Sequence, residues 1–204
     1  SYDGPTHHSL EDIAVMRSLP NYEVLVASDG VMMDWLVKHA IDVEGPMYIR
    51  LSRGEAKPCY DENETFEVGK AKVLIEGTDA TIISCGVMTG ESLEAAKLLS
   101  DEGINVSVID MFSIKPIDRE AIINAAQDTN LIVTCEEHNV IGGLGSAVAE
   151  VLTSENQVVK QVFIGMQDQH AECGDYGDLF EKYNISALSI AERIKEEISL
   201  LNNK

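Results

Sequence analysis

The sequence predicts an α/β protein in two lobes. The first is short, with a parallel sheet that is incomplete; the second is open and mostly parallel. Three observations carry this. Short apolar runs alternate with amphipathic stretches, the pattern of strand-helix-strand units. One acidic, turn-rich stretch, 54–70, interrupts that alternation. Hydrophobic residues make up 45% of the 204 and charged residues 25%, enough for a real core.

In residues 9–19, Leu10, Ile13, Ala14 and Val15 fall at helical spacing. Ser9-x-x-Asp12 resembles a capping box with Asp in place of Glu, and Pro20-Asn21 ends the helix. Residues 23–27 form a short apolar strand. Ser28-Asp29 can cap a helix over about 30–42. Gly45-Pro46 breaks the chain, and 47–51 is a second strand. Residues 54–70 carry Glu55, Asp61, Glu62, Glu64 and Glu67 with Pro58 and few large apolar side chains, and read as an inter-domain linker. From residue 71 the alternation resumes. Strands are predicted at 80–85, 105–109, 131–135 and 158–164, and helices at 90–102, 118–127, 142–152 and 188–200. Gly103 is placed as a helix stop. The expected units are residues 1–54, a linker at 55–70 and residues 71–204.

The net charge is −20. A surface this acidic repels nucleic acid and anionic membrane, and a phosphate site on it needs a local, directed cation. No apolar run approaches the ~20 residues of a membrane span. Ser1-Tyr2-Asp3-Gly4 is polar, so no signal peptide is expected, and Ser1 reads as a boundary inside a longer pattern. Cys59, Cys85, Cys135 and Cys173 are widely spaced and read as reduced thiols of a cytosolic protein.

Several clusters could carry chemistry. In Asp3-Gly4-Pro5-Thr6-His7-His8 a rigid turn holds an Asp and a His that can bond ligand hydroxyls and pass a proton; the alternative is a capped turn with solvated histidines. Arg50-Leu51-Ser52-Arg53-Gly54 ends a strand, where open α/β sheets bind ligands, and an Arg there can grip phosphate. Its two arginines should point differently, and the alternative is surface ion pairing. Glu136-Glu137-His138-Asn139, then Gly142-Gly143-Leu144-Gly145-Ser146, resembles a phosphate-cradling helix start. The Gly-x-Gly-x-x-Gly pattern fails at Val148, however, so a structural role in close helix packing is favoured. Cys135-x-x-His138 with His170-x-x-Cys173 makes a possible zinc set; the alternative is a buried strand end and polar loops.

The run Asp3-Gly4-Pro5-Thr6-His7, continuing from Leu10 to Asn21, resembles the pyrimidine-binding domain of transketolases. It is most similar to the C-terminal subunit of split transketolases. The similarity continues through Gly45 to Arg53, then Ile83-Ser84-Cys85-Gly86, Val108-Ile109-Asp110-Met111 and Glu136 to Ser146. It implies the end of a pyrimidine-binding domain followed by a transketolase C-terminal domain. The implied function is one component of an enzyme of sugar-phosphate (pentose phosphate) metabolism that moves a two-carbon ketol unit. Asp3 and His7 are then implied to contact sugar hydroxyls and the reacting end of the donor, and Arg53 the substrate phosphate. His8 stands where these enzymes more usually carry Gln. Thiamine diphosphate and Mg2+ are implied for the complete enzyme and not for this chain alone. The motif that holds the diphosphate is not found here, so a partner part must carry it, and dimerisation is expected. The alternatives are a component like 1-deoxy-D-xylulose-5-phosphate synthase, or an assembly domain.

Overall fold

The computed structural model describes residues 3–54 and 56–203. The first lobe holds a 3-10 turn at Pro5–His7, then α1 (Asp12–Ser18), β1 (Glu23–Val26), α2 (Gly30–Asp42) and β2 (Met47–Arg50). The expected capping box at Ser9 is corrected. α1 starts at Asp12 behind Glu11 with no side-chain capping bond, and the Ser9 carbonyl instead accepts from Arg50 Nη2 at 2.7 Å. Asp29 does cap α2, its Oδ1 accepting from the Met32 amide at 2.9 Å.

The second lobe follows with β3 (Lys72–Ile75), β4 (Ala80–Ser84), α3 (Val87–Asp101), β5 (Val106–Asp110), β6 (Ser113–Lys115), α4 (Arg119–Asp128), β7 (Leu131–Asn139), α5 (Leu144–Ser154), β8 (Lys160–Met166), α6 (Tyr176–Lys182) and α7 (Ala187–Asn202). Five strands form one sheet in the order β3-β5-β4-β7-β8. It is parallel except for β3, which runs antiparallel to β5. β3, β6 and α6 lie where the sequence predicted no element.

β6 does not join that sheet. It pairs antiparallel with β1, Val24 opposite Lys115, while β2 pairs parallel on the other side of β1. The first lobe's sheet is therefore not purely parallel, and its third strand comes from the second lobe.

Strand alternation gives β1 two apolar faces. Val24 and Val26 enter a cluster with Ile83, Ile109 and Leu144 of the second lobe. Leu25 and Ala27 enter another with Met32, Leu36 and Phe112. The lobes thus share a core across β1.

Among the described residues the connection 54–70 carries no helix or strand. It is nevertheless packed, unlike a solvated linker. Phe66 is 7% exposed, edge-on to Trp35 and to Phe112, each at 5.7 Å. Asp29 Oδ2 accepts from the Cys59 and Tyr60 amides at 2.9 and 3.0 Å. Two aromatic rings and one carboxylate fasten this acidic segment to its neighbours.

Candidate functional site

The Asp3–His7 turn is built by Gly4. Its φ of +79° disfavours any side chain, and a Cβ there would lie 2.7 Å from Cys173 Sγ. The turn closes with the His7 amide donating to the Gly4 carbonyl at 3.0 Å. His7 Nδ1 lies 3.0 Å from Thr6 Oγ1. Arg53, just past β2, forms an ion pair with Asp3 and keeps its side chain 71% exposed. His7, His8 and Arg53 line one cavity of about 280 Å³ between the strand end 48–53 and residues 166–185. The structure therefore gathers Asp3, His7 and Arg53 beside the carboxyl end of a parallel strand.

Arg50 points elsewhere and is not a surface pair: its side chain is 10% exposed. Nε donates to Asp12 Oδ2 at 3.1 Å, Nη1 to Glu137 Oε2 at 3.3 Å, and Nη2 to the Ser9 and Glu137 carbonyls at 2.7 and 2.8 Å. Tyr48 also donates to Asp12, at 2.8 Å. Burial alone would lower the guanidinium pKa, but Glu137 and Asp12 outweigh it and the net shift is upward. Arg50 lies along the cavity wall as a strut joining α1, β2 and β7.

The glycine-rich helix start holds an anion of the protein itself. Glu136 is fully buried and accepts from the Leu144 and Gly145 amides at 2.7 and 2.9 Å. A Cβ at Gly143 would stand 1.9 Å from Glu136 Oε2. Burial pushes the Glu136 pKa up to about 7, against the two amides that lower it. The amides of this helix start are spent on Glu136, in keeping with the structural role the sequence favoured. Gly145 serves close packing as expected, since a Cβ there would meet the Phe163 ring at 2.3 Å.

His138 is buried, with Nδ1 2.6 Å from the Asn139 carbonyl and Nε2 accepting from the Ala14 amide at 3.4 Å. Burial lowers its pKa. Cys135 sits in the sheet core, while Cys173 is exposed beside Gly4. Among the described residues no three His, Cys, Asp or Glu side chains stand together to hold a metal, so the Cys2His2 set does not assemble.

Sequence reasoning missed a second buried polar group, Asp110, at the lobe junction. Tyr60 donates to its Oδ2 at 2.7 Å. Burial raises its pKa to about 7 despite the hydroxyls of Ser28, Tyr60 and Thr89. It also missed that residues 166–185 form the far wall of the cavity. For Glu136, an acid just ahead of a glycine-rich helix start was the available signal.

Residues 69–190 match the family profile of the transketolase C-terminal domain, and residues 1–58 that of the transketolase pyrimidine-binding domain. The chain belongs to the transketolase family. Among its relatives, a putative transketolase C-terminal section from Methanocaldococcus jannaschii is 39% identical over 96% of this chain and 62% of its own length. An apulose-4-phosphate transketolase subunit from Phocaeicola vulgatus is 40% identical over 95% of this chain and 62% of its own. A solved split-gene transketolase, an inactive beta4 tetramer, superposes with a TM-score of 0.87 at 44% identity, covering 96% of this chain and 63% of that one. The chain thus spans about three fifths of the length of these transketolase relatives. The family is thiamine-diphosphate-dependent, and this chain lacks the main part that binds the cofactor. The described residues do not fit the diphosphate or a metal with it: the one glycine-rich helix start singled out in the sequence is filled by a carboxylate, and no ligand cluster exists among them.

Proposed function

We propose that this chain is one component of a thiamine-diphosphate-dependent transketolase that moves a two-carbon ketol unit between sugar phosphates. The supporting observation is the convergence of the Asp3–His7 turn and Arg53 at one cavity mouth. In this reading Arg53 binds the substrate phosphate; it is an exposed cation directed by the turn, as a chain of net charge −20 requires. Asp3 orients the guanidinium and accepts from sugar hydroxyls. His7 has Nδ1 turned to Thr6, which leaves Nε2 for the reacting end of the ketose. The cofactor supplies the carbanion chemistry from a partner part; this chain's residues bind and orient the sugar.

The partners are then a part or subunit bearing the diphosphate site, and a second copy of the chain. β2 is the outer strand of its sheet, with Leu51 exposed just beyond it, which suits a covered edge. On its own the chain neither binds thiamine diphosphate tightly nor turns over a ketose phosphate. Calorimetric titration with the cofactor and magnesium checks this, and micromolar one-site binding would overturn it.

Reconstitution with the diphosphate-binding part tests the activity. Two-carbon transfer from a ketose phosphate to an aldose phosphate is expected. Decarboxylating condensation of pyruvate in its place would favour the synthase reading. In the active assembly, Arg53→Ala should weaken phosphorylated substrates about ten- to a hundredfold and spare unphosphorylated ones. Equal loss for both would make Arg53 structural.

A further inference from the structure

His138 does not line the cavity, and the proposed chemistry gives it no part. It is fully buried against the segment that joins the Asp3–His7 turn to α1. Arg50, Asn139 and His138 together hold that segment. Arg50 donates to the Ser9 carbonyl at 2.7 Å and to Asp12 Oδ2 at 3.1 Å. The Asn139 amide donates to the Leu10 carbonyl at 2.8 Å. The Ala14 amide, in the first turn of α1, donates to His138 Nε2 at 3.4 Å.

Only the last of these bonds reverses with a proton. His138 Nδ1 lies 2.6 Å from the Asn139 carbonyl, so the ring proton sits there and Nε2 keeps the lone pair that Ala14 uses. A second proton would turn Nε2 into a donor facing another donor. Its open partner is Asp12 Oδ1, which is buried with no hydrogen bond and stands 3.9 Å from Nε2. That distance is too long for a bond, so making it requires the first turn of α1 to move.

The surroundings set when this happens. Asp12 faces the ring from α1, joined there by Tyr48, and Arg50 faces it from β2, joined by Glu137. Glu136 stands on the ring's own strand, Oε2 3.6 Å from Nδ1, and Gly143 at the start of α5 lies against Nδ1 without charge. Burial holds the His138 pKa below its usual value, although the Asn139 carbonyl and Asp12 favour the charged ring. The ring is therefore neutral at neutral pH and charges only in acid. Glu136 titrates at about 7, so it is mostly protonated before the ring charges, and Asp12 is left as the partner.

We propose that His138 is a positioning residue for the Asp3–His7 turn: as a neutral acceptor it fixes α1 and through it the turn, and a second proton redirects it to Asp12 and shifts both. Calling the turn a substrate site rests on the transketolase reading. The movement does not, and its test uses neither partner nor turnover.

The test follows the full chain, labelled with 15N, by nuclear magnetic resonance from about pH 8 to about pH 5, the range in which histidines titrate. At the upper end His138 should show a protonated Nδ1 and a bare Nε2. As Nε2 gains its proton, the Ala14 amide and the His7 ring protons should shift with the same midpoint. In His138→Gln that shared inflection should vanish from both. In Asp12→Asn, which removes the charge that attracts the second proton, it should move to lower pH; the wild-type titration decides the matter if this variant does not fold. A His7 signal with no inflection at the His138 midpoint would overturn the proposal, as would one that survives in His138→Gln. So would unfolding of the wild-type chain before the ring gains its second proton, since the charged state would then have no folded form.

Discussion

Arg50 and Arg53 stand three residues apart and meet different surroundings. Arg53 is exposed and paired with Asp3; Arg50 is buried with two carboxylates and two carbonyls around it. Arg50→Met would strand Asp12 and Glu137 in a partly dry site. That should cost about 3–5 kcal/mol in urea unfolding, whereas Arg53→Met should cost well under ~1 kcal/mol. Asp110 gives a pH signature. Its folded pKa of about 7 lies above its ordinary 3.8, so the native state holds the extra proton between those values. Stability should therefore fall as pH rises from about 4 to about 7, by at most ~1.4 kcal/mol per unit for one group, and Asp110→Asn should flatten that slope. Glu136, also raised to about 7, adds to the same fall. At this scale the sequence was partly legible. Arg53 and the Asp3–His7 turn could be singled out because a strand end and a Gly-Pro turn are visible in the chain. The environments of His8, Asp110 and Glu136 could not be read, because they come from burial by residues distant in sequence.

Apolar runs and helical stripes were readable, and the briefest elements were not. The apolar run 23–27 and the stretch 142–152 expected as a helix became β1 and α5 within two residues. β6 has three residues, too few to display a period. α6 has seven, only two turns, and its amphipathic pattern is as brief. At the start of α5 the glycines read as sites of close packing, and spacing alone could not show that the room at Gly143 is used by Glu136. Gly143→Ala should push that carboxylate off the Leu144 and Gly145 amides and destabilise the protein by about 1–3 kcal/mol. Thermal melts of this variant beside a Gly177→Ala control, where an added Cβ meets nothing within 4 Å, check it. Equal melting temperatures would show that the cap adjusts freely.

The molecule as a whole has two sheets, and its buried side chains form several clusters, two of which meet at β1. β1 is buried from both sides, once by α2 and once by the second lobe. The lobes should therefore unfold together. Trp35, the sole tryptophan, stacks on His39 at 5.0 Å and reports the first lobe. Far-ultraviolet dichroism reports mainly the second, which carries most of the helix. The two curves in urea should coincide; separated midpoints would mean independent lobes. A composition shift at 54–70 marked the two-lobe plan in the sequence. It could not show that the halves share a core, because that depends on which residues meet across β1.

The placement of β6 also bears on how the protein is made. The strand that pairs with β1 from the second lobe lies at Ser113–Lys115, some ninety residues after its neighbour at Glu23–Val26. A nascent chain emerging at about 5–20 residues per second leaves β1 without that neighbour for several seconds. Until Ile83, Ile109 and Leu144 have followed, Val24 and Val26 face water or a helper protein. β1 waits for a partner strand made long after it, and its open edge is the place where a chaperone or a second nascent chain would find it.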